Sequence, residues 1–292
     1  MSTRQRPRVA KECVCCGGNR LSRTPAVLMP FVASRVFGWE PVEITPEWNM
    51  RDLKCGMAYS VCNTLRCNDC GLVFLDIRFD DEELAALYHG YRDAEYTALR
   101  LRFEPDYQAR NDDLVGGYSY IPHVEEFLRE RIGRVEGVLD WGGDTGLNTP
   151  FRHEVAVHHV YDISEKPVIT GAQRVTANEA IDNEYDLVVV SQVLEHVPFP
   201  EDVLTEAVRA MRPSTSLWVE VPHEAVVREA VDPEAAYLSK RHWHEHVNFY
   251  TEDALTALLE GVGLLVEERT TFAVTVSGRD SYVMGAVCRR RK

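Results

Sequence analysis

The sequence predicts a doubly wound α/β sheet with an antiparallel edge, preceded by a small cysteine-bearing N-terminal domain. Three observations carry that expectation. From residue 136 onward, short apolar runs alternate with amphipathic stretches, the pattern of strands separated by helices. The apolar run Val138-Leu139-Asp140-Trp141 breaks directly into a glycine-rich turn, Gly142-Gly143-Asp144-Thr145-Gly146. Seven of the eight cysteines lie before residue 71, in a stretch with little periodicity. The 292 residues therefore divide into a cysteine-rich domain over 1–80, a helical cover over 81–135 and an α/β domain over 136–292.

The helical cover has readable boundaries. Asp80 to Glu83 place acids at a helix N-terminus, and Leu84, Leu87 and Tyr88 follow on one face. Pro122 opens a second helix, in which Val124, Phe127, Leu128 and Ile132 keep helical spacing before Gly133. In the α/β domain, strands are expected at Gly137–Trp141, Val157–Tyr161, Gln173–Thr176, Tyr185–Val190 and Ser216–Val221. Helices are expected at Glu201–Met211 and, after the N-cap Thr251, at Glu252–Leu259. Leu264–Thr270 and Ser281–Cys288 read as a closing hairpin, the antiparallel edge.

Composition excludes several function classes. The formal charge of −14 opposes nonspecific binding to nucleic acid or to an anionic membrane. No apolar run reaches the ~18–20 residues of a membrane span, and residues 1–12 do not read as a secretory signal. The expected compartment is the cytoplasm, where thiols stay reduced. Cysteines crowded there point to a metal. Cys13-x2-Cys16 and Cys67-x2-Cys70 are each followed by glycine, and four such thiolates make a closed, structural tetrahedral zinc site. Cys15 is an alternative ligand; Cys55 and Cys62 read as spare or buried, and Cys288 as core.

Gly142, Gly143 and Gly146 would let the backbone approach a ligand closely, with Asp140 at the end of the strand beneath them. About twenty residues on, Asp162 ends the next strand, where a carboxylate can accept two hydrogen bonds from a ribose diol. Gln192 directly follows the fourth strand and is a candidate to line the same pocket, and Glu220 a candidate to face an acceptor.

The segment LDWGGDTG resembles the first motif of class I S-adenosylmethionine-dependent methyltransferases. YDIS at 161–164 resembles their ribose-binding segment, and the stretch from Tyr185 to His223 their fourth strand, loop, helix and fifth strand. The resemblance implies a Rossmann-like class I methyltransferase sheet binding S-adenosylmethionine across its carboxyl edge. Asp144 stands where the family usually has its middle glycine.

The densest chemistry is Arg241-His-Trp-His-Glu-His-Val-Asn248, and four of the ten histidines lie between His223 and His246. In an extended segment His242, His244 and His246 would share one face, a candidate second metal site. Trp243-His244-Glu245-His246 also resembles the Tyr-His-Glu-His segment of nucleotide-sugar C-methyltransferases, which carry an N-terminal four-cysteine zinc domain. That resemblance implies His246 as general base with Glu245 beside it, and a nucleotide-linked sugar or related small polar acceptor. His196, after the fourth strand, is a second candidate base. A catalytically inactive methyltransferase-like scaffold, or a methyltransferase of RNA or protein, are the alternative readings.

Overall fold

The computed structural model describes residues 7–48, 54–108, 111, 116–164, 166–229, 231–276 and 278–291. Two sheets dominate. The first is built from β1 (Leu21–Leu28), β4 (Val61–Cys67) and β5 (Val73–Leu75), with β2 (Val42–Ile44) and β3 (Gly56–Ala58) forming a separate small hairpin. The second contains β6 (Gly137–Trp141), β7 (Val157–Tyr161), β8 (Gln173–Arg174), β9 (Leu187–Ser191), β10 (Ser216–Pro222), β13 (Leu264–Val276) and β14 (Arg279–Arg290). Its order is β13-β14-β10-β9-β6-β7-β8, parallel from β10 to β8 and antiparallel at β13 and β14. Strand order reverses between β6 and β9, so the loops after β6, β7, β9 and β10 share one rim.

Local chemistry explains the elements. Leu187 to Val190 are completely buried, as expected of a central parallel strand covered on both faces. Helix Pro200–Arg209 starts on proline with Glu201 and Asp202 in its first turn, and buries Leu204, Ala207 and Val208 against the sheet. Helix Asp81–Tyr88 opens with a capping box between Asp80 and Glu83. Thr251 caps helix Glu252–Gly261 by accepting from the Ala254 N–H at 3.1 Å. The closing hairpin runs well past its expected ends, because its far half pairs through backbone hydrogen bonds that apolar patterning does not mark.

Residues 1–80, which showed little periodicity, hold three strands of a sheet that two short strands from the histidine-rich segment complete. β11 (His242–Trp243) lies parallel to β1, and β12 (Asn248–Phe249) antiparallel to β5. Trp243 is buried there and donates its indole N–H to Thr64 Oγ1 at 2.8 Å. Cysteines 13, 15, 67 and 70 belong to the same apolar cluster as Val188, Val190 and Leu217 of the second sheet.

Candidate active site

At the tip of β6 the turn is dictated by crowding. Gly142 has φ of 86°, and a Cβ there would lie 2.6 Å from Val193 Cγ2. A Cβ on Gly143 would lie 2.4 Å from Asp140 Cγ. Gly146 closes the turn by donating its N–H to the Gly143 carbonyl at 2.8 Å. Asp140 sits beneath the turn, 4% exposed, and accepts from Thr149 Oγ1 at 2.5 Å. Burial pushes its carboxyl up to about 7. The structure thus gives Asp140 a bracing position under the glycines, while the backbone of Gly142 to Gly146 forms the rim.

Asp144 occupies the left-handed region, φ 52°, which acids tolerate better than most side chains. Its charge is paired with Lys166 Nζ at 3.2 Å, and its N–H donates to Asp162 Oδ2 at 2.9 Å. The other Asp162 oxygen accepts from the Ser164 N–H at 2.6 Å. The first two strand tips are thereby tied together, and the carboxylate at the end of β7 is fixed in orientation. Gln192 is also left-handed, φ 56°, and donates from Nε2 to Glu220 Oε1 at 3.0 Å. Glu220, expected to face an acceptor, is instead buried, with Tyr120 Oη donating to the same oxygen at 2.6 Å and Ser191 Oγ at 3.0 Å.

The loop after β9 brings His196 against His246, with ring centroids 4.6 Å apart and the planes nearly perpendicular. His196 Nδ1 lies 2.9 Å from Tyr88 Oη. Burial, with His246 alongside, pushes the His196 imidazole down to about 3, so it stays neutral at pH 7. An imidazole this hard to protonate is a poor proton acceptor. His246 is the more accessible ring, with 36% of its side chain exposed, and its Nδ1 lies 3.2 Å from Glu224 Oε1.

The carboxylate bonded to His246 is therefore Glu224, not Glu245. Glu245 points toward helix Ala94–Phe103 of the helical cover, where it accepts from Tyr96 Oη at 2.6 Å and pairs with Arg100 Nη1 at 2.8 Å. Burial favours its neutral acid, but His244, Arg100 and Tyr96 together hold its carboxyl well below the usual range. The shared face expected for His242, His244 and His246 is not formed, because only His242 and Trp243 are extended. His242 is exposed, and His244 stacks on Phe31 and hydrogen-bonds Glu104.

The cysteine expectation meets a compact geometry. Cys13 Sγ and Cys70 Sγ are 3.5 Å apart, Cys16 Sγ and Cys67 Sγ 3.6 Å, and all four sulfurs fall within 4.8 Å of one another. A tetrahedron with ~2.3 Å metal–sulfur bonds has edges of about 3.8 Å. Cys15 is buried beside the four but outside the set; Cys62 and Cys288 are core, and Cys55 is exposed.

Glu195, Glu224 and Tyr88 are the residues that motif reading passed over. Glu195 precedes His196 directly, so a carboxylate just past a buried strand was the available signal. Glu224 and Tyr88 reach the cluster only through the fold. Among the described residues, no helix is long and apolar enough to cross a membrane.

No curated protein matches the sequence. The chain is similar to a 1,6-didemethyltoxoflavin-N1-methyltransferase from Burkholderia thailandensis, solved with its substrate and S-adenosylhomocysteine. Identity is 17%, coverage 77% of this chain and 97% of that one, and the TM-score 0.48. It is also similar to the N-methyltransferase NodS from Bradyrhizobium japonicum WM9, at 16% identity over 60% of this chain and 89% of that one, with a TM-score of 0.41. A family described as a methyltransferase domain matches residues 88–269. That match takes in the helical cover from Tyr88 onward, the glycine turn, the rim and the histidine cluster, and the chain belongs to this methyltransferase-domain family.

Proposed function

We propose that the chain is an S-adenosylmethionine-dependent methyltransferase acting on a small polar acceptor, with a nucleotide-linked sugar or related intermediate as the acceptor class. The observation that carries this reading is the shared rim. The glycine turn follows β6, Asp162 follows β7 and His196 follows β9, all at the carboxyl ends of parallel strands, and His246 packs against His196. The acceptor class rests on the resemblance of Trp243 to His246 to the nucleotide-sugar C-methyltransferase segment.

When bound, S-adenosylmethionine supplies a methyl group activated by its sulfonium. Asp162, held by two backbone N–H groups, retains lone pairs to accept from a ribose diol. Gly142, Gly143 and Gly146 would let the turn backbone approach the ligand closely. Positioning the acceptor is the larger contribution, and proton removal adds ~10²–10⁴-fold. His246 takes that proton: Glu224 holds Nδ1 and leaves Nε2 for the acceptor. His196, neutral and tethered to Tyr88, shapes the wall opposite. Cys13, Cys16, Cys67 and Cys70 would hold a zinc ion in a structural role, four protein ligands leaving it no open position for chemistry.

Calorimetry with S-adenosylhomocysteine tests the reading. Binding by wild type, retained in His246→Ala while turnover falls by about 10²-fold or more, is the expected outcome. A folded, zinc-replete protein with no affinity for this compound would overturn it.

A further inference from the structure

We propose that Glu195, His196 and His246 form a binding site for a divalent transition-metal cation, separate from the four cysteines. One ligand atom from each lies within 4.8 Å of the others. Glu195 is 1% exposed, and neither of its carboxylate oxygens has a hydrogen-bond partner among the described residues. A buried carboxylate with no partner is costly, and buried charges are normally paired or coordinate metals. Its Oε1 lies 3.7 Å from His196 Nε2.

The two imidazoles are arranged as metal-ligating histidines are. Such rings nearly always hold one nitrogen on an outer partner so that the other meets the ion. Here His196 Nδ1 is held by Tyr88 Oη and His246 Nδ1 by Glu224, which leaves an Nε2 on each ring. Ligands on a cation at ~2.1 Å stand about 3 Å apart, so closing the site takes only side-chain rotation. Two imidazoles and one carboxylate suit Mn2+, Fe2+, Co2+ or Zn2+ better than Ca2+ or Mg2+. Three protein ligands leave positions open for an acceptor.

The cation site itself stands apart from the preceding reading, but its use in catalysis rests on that reading for the methyl donor and for an acceptor docked at this cluster; it changes His246 from proton acceptor to ligand. An acceptor hydroxyl ligated here is acidified and gives its proton to water. Its oxygen then bonds to the methyl carbon as the carbon–sulfur bond breaks and sulfur keeps the electron pair. The products are a methyl ether, S-adenosylhomocysteine and one released proton.

Zinc-loaded wild type titrated with Mn2+, with free Mn2+ counted by electron paramagnetic resonance, tests the site, because thiolates disfavour this hard ion. The expected result is one Mn2+ per chain, weakened about tenfold or more by Glu195→Gln and by His246→Ala with zinc content unchanged. Tyr88→Phe weakens it about tenfold through the ring it orients. Should Glu195→Gln not fold, the accessible His246 decides. No Mn2+, Co2+ or Zn2+ beyond that held by the cysteines, or a His246→Ala protein that binds as wild type does, overturns the proposal. S-adenosylhomocysteine affinity is read separately, so its absence alongside Mn2+ binding would remove the methyltransferase reading and leave this one.

Discussion

Arg78 Nη1 donates to Asn248 Oδ1 at 3.0 Å, and both side chains are buried at 1% exposure. Arg78 is rooted after β5 and also donates to the Pro198 carbonyl at 3.0 Å. Asn248 Nδ2 is shared between the carbonyls of Leu194 and Val197, at 2.9 and 2.7 Å. The pair therefore locks the loop that carries Glu195 and His196 to the N-terminal sheet. Asn248→Ala leaves the Val197 carbonyl and one guanidinium N–H without a partner, while the Leu194 carbonyl keeps the Tyr250 hydroxyl at 2.9 Å. At ~1–3 kcal/mol for each buried group left unpaired, a loss of about 3 kcal/mol is expected in urea unfolding. Turnover should fall further than S-adenosylhomocysteine affinity, since the loop lies on the acceptor side of the rim.

Glu245 and Arg100 form a buried ion pair, 2.8 Å apart. Replacing Glu245 with Gln removes the charge that Arg100 is buried against, at an expected cost of ~3–5 kcal/mol near neutral pH. The sign with pH follows from the depressed carboxyl. Its folded pKa lies below the unfolded ~4.3, so its stabilisation is present above the unfolded value and is lost as pH falls through the folded one. Denaturation midpoints between pH 7 and 3 should converge for wild type and Glu245→Gln. A constant gap across that range would show that Glu245 is not the titrating partner.

The parallel sheet was legible because apolar runs such as Leu187 to Val190 leave little alternative to burial, and because the glycine turn, Asp162 and the cysteine pairs announce themselves locally. The first sheet was not legible. β5 is only three residues, and β11 and β12 are two each, too short for periodicity, and their pairing partners are far away in sequence. The same long-range pairing turned Glu245 away from His246. Glu245 and His246 face different partners, Tyr96 and Arg100 on one side and Glu224 on the other, so sequence neighbourhood gave Glu245 where the fold supplies Glu224. Glu195 went unread because a lone buried carboxylate has no sequence signature beyond its position after a strand.

Asp162 ties the two strand tips through the Asp144 N–H and is the proposed ribose partner. Asp162→Asn keeps the shape but turns one acceptor oxygen into a donor facing the Asp144 or Ser164 N–H. Hydrogen bonds to a charged group contribute ~1.5–3 kcal/mol, so S-adenosylhomocysteine should bind roughly 10–100-fold more weakly. Asp144→Asn, which keeps the backbone N–H and removes only the pairing with Lys166, should change affinity much less. Equal losses in the two variants would place the effect in the turn rather than in a ribose contact.

The proposed zinc and the histidine cluster are coupled through one sheet. β4 ends at Cys67, β5 follows Cys70, and β12 pairs with β5 just before Thr251, whose hydroxyl donates to the Cys70 carbonyl at 2.6 Å. Stripping zinc should loosen this sheet, because such sites contribute folding energy directly. Trp243 is buried in that sheet, so its emission should shift to the red on chelation and return when zinc is restored. Turnover should vanish over the same titration, ahead of S-adenosylhomocysteine affinity, because His246 hangs between β11 and β12 while Asp162 and the glycine turn belong to the other sheet. Chelation that empties the cysteines yet leaves Trp243 emission and turnover intact would show that the thiol cluster does not support the catalytic segment.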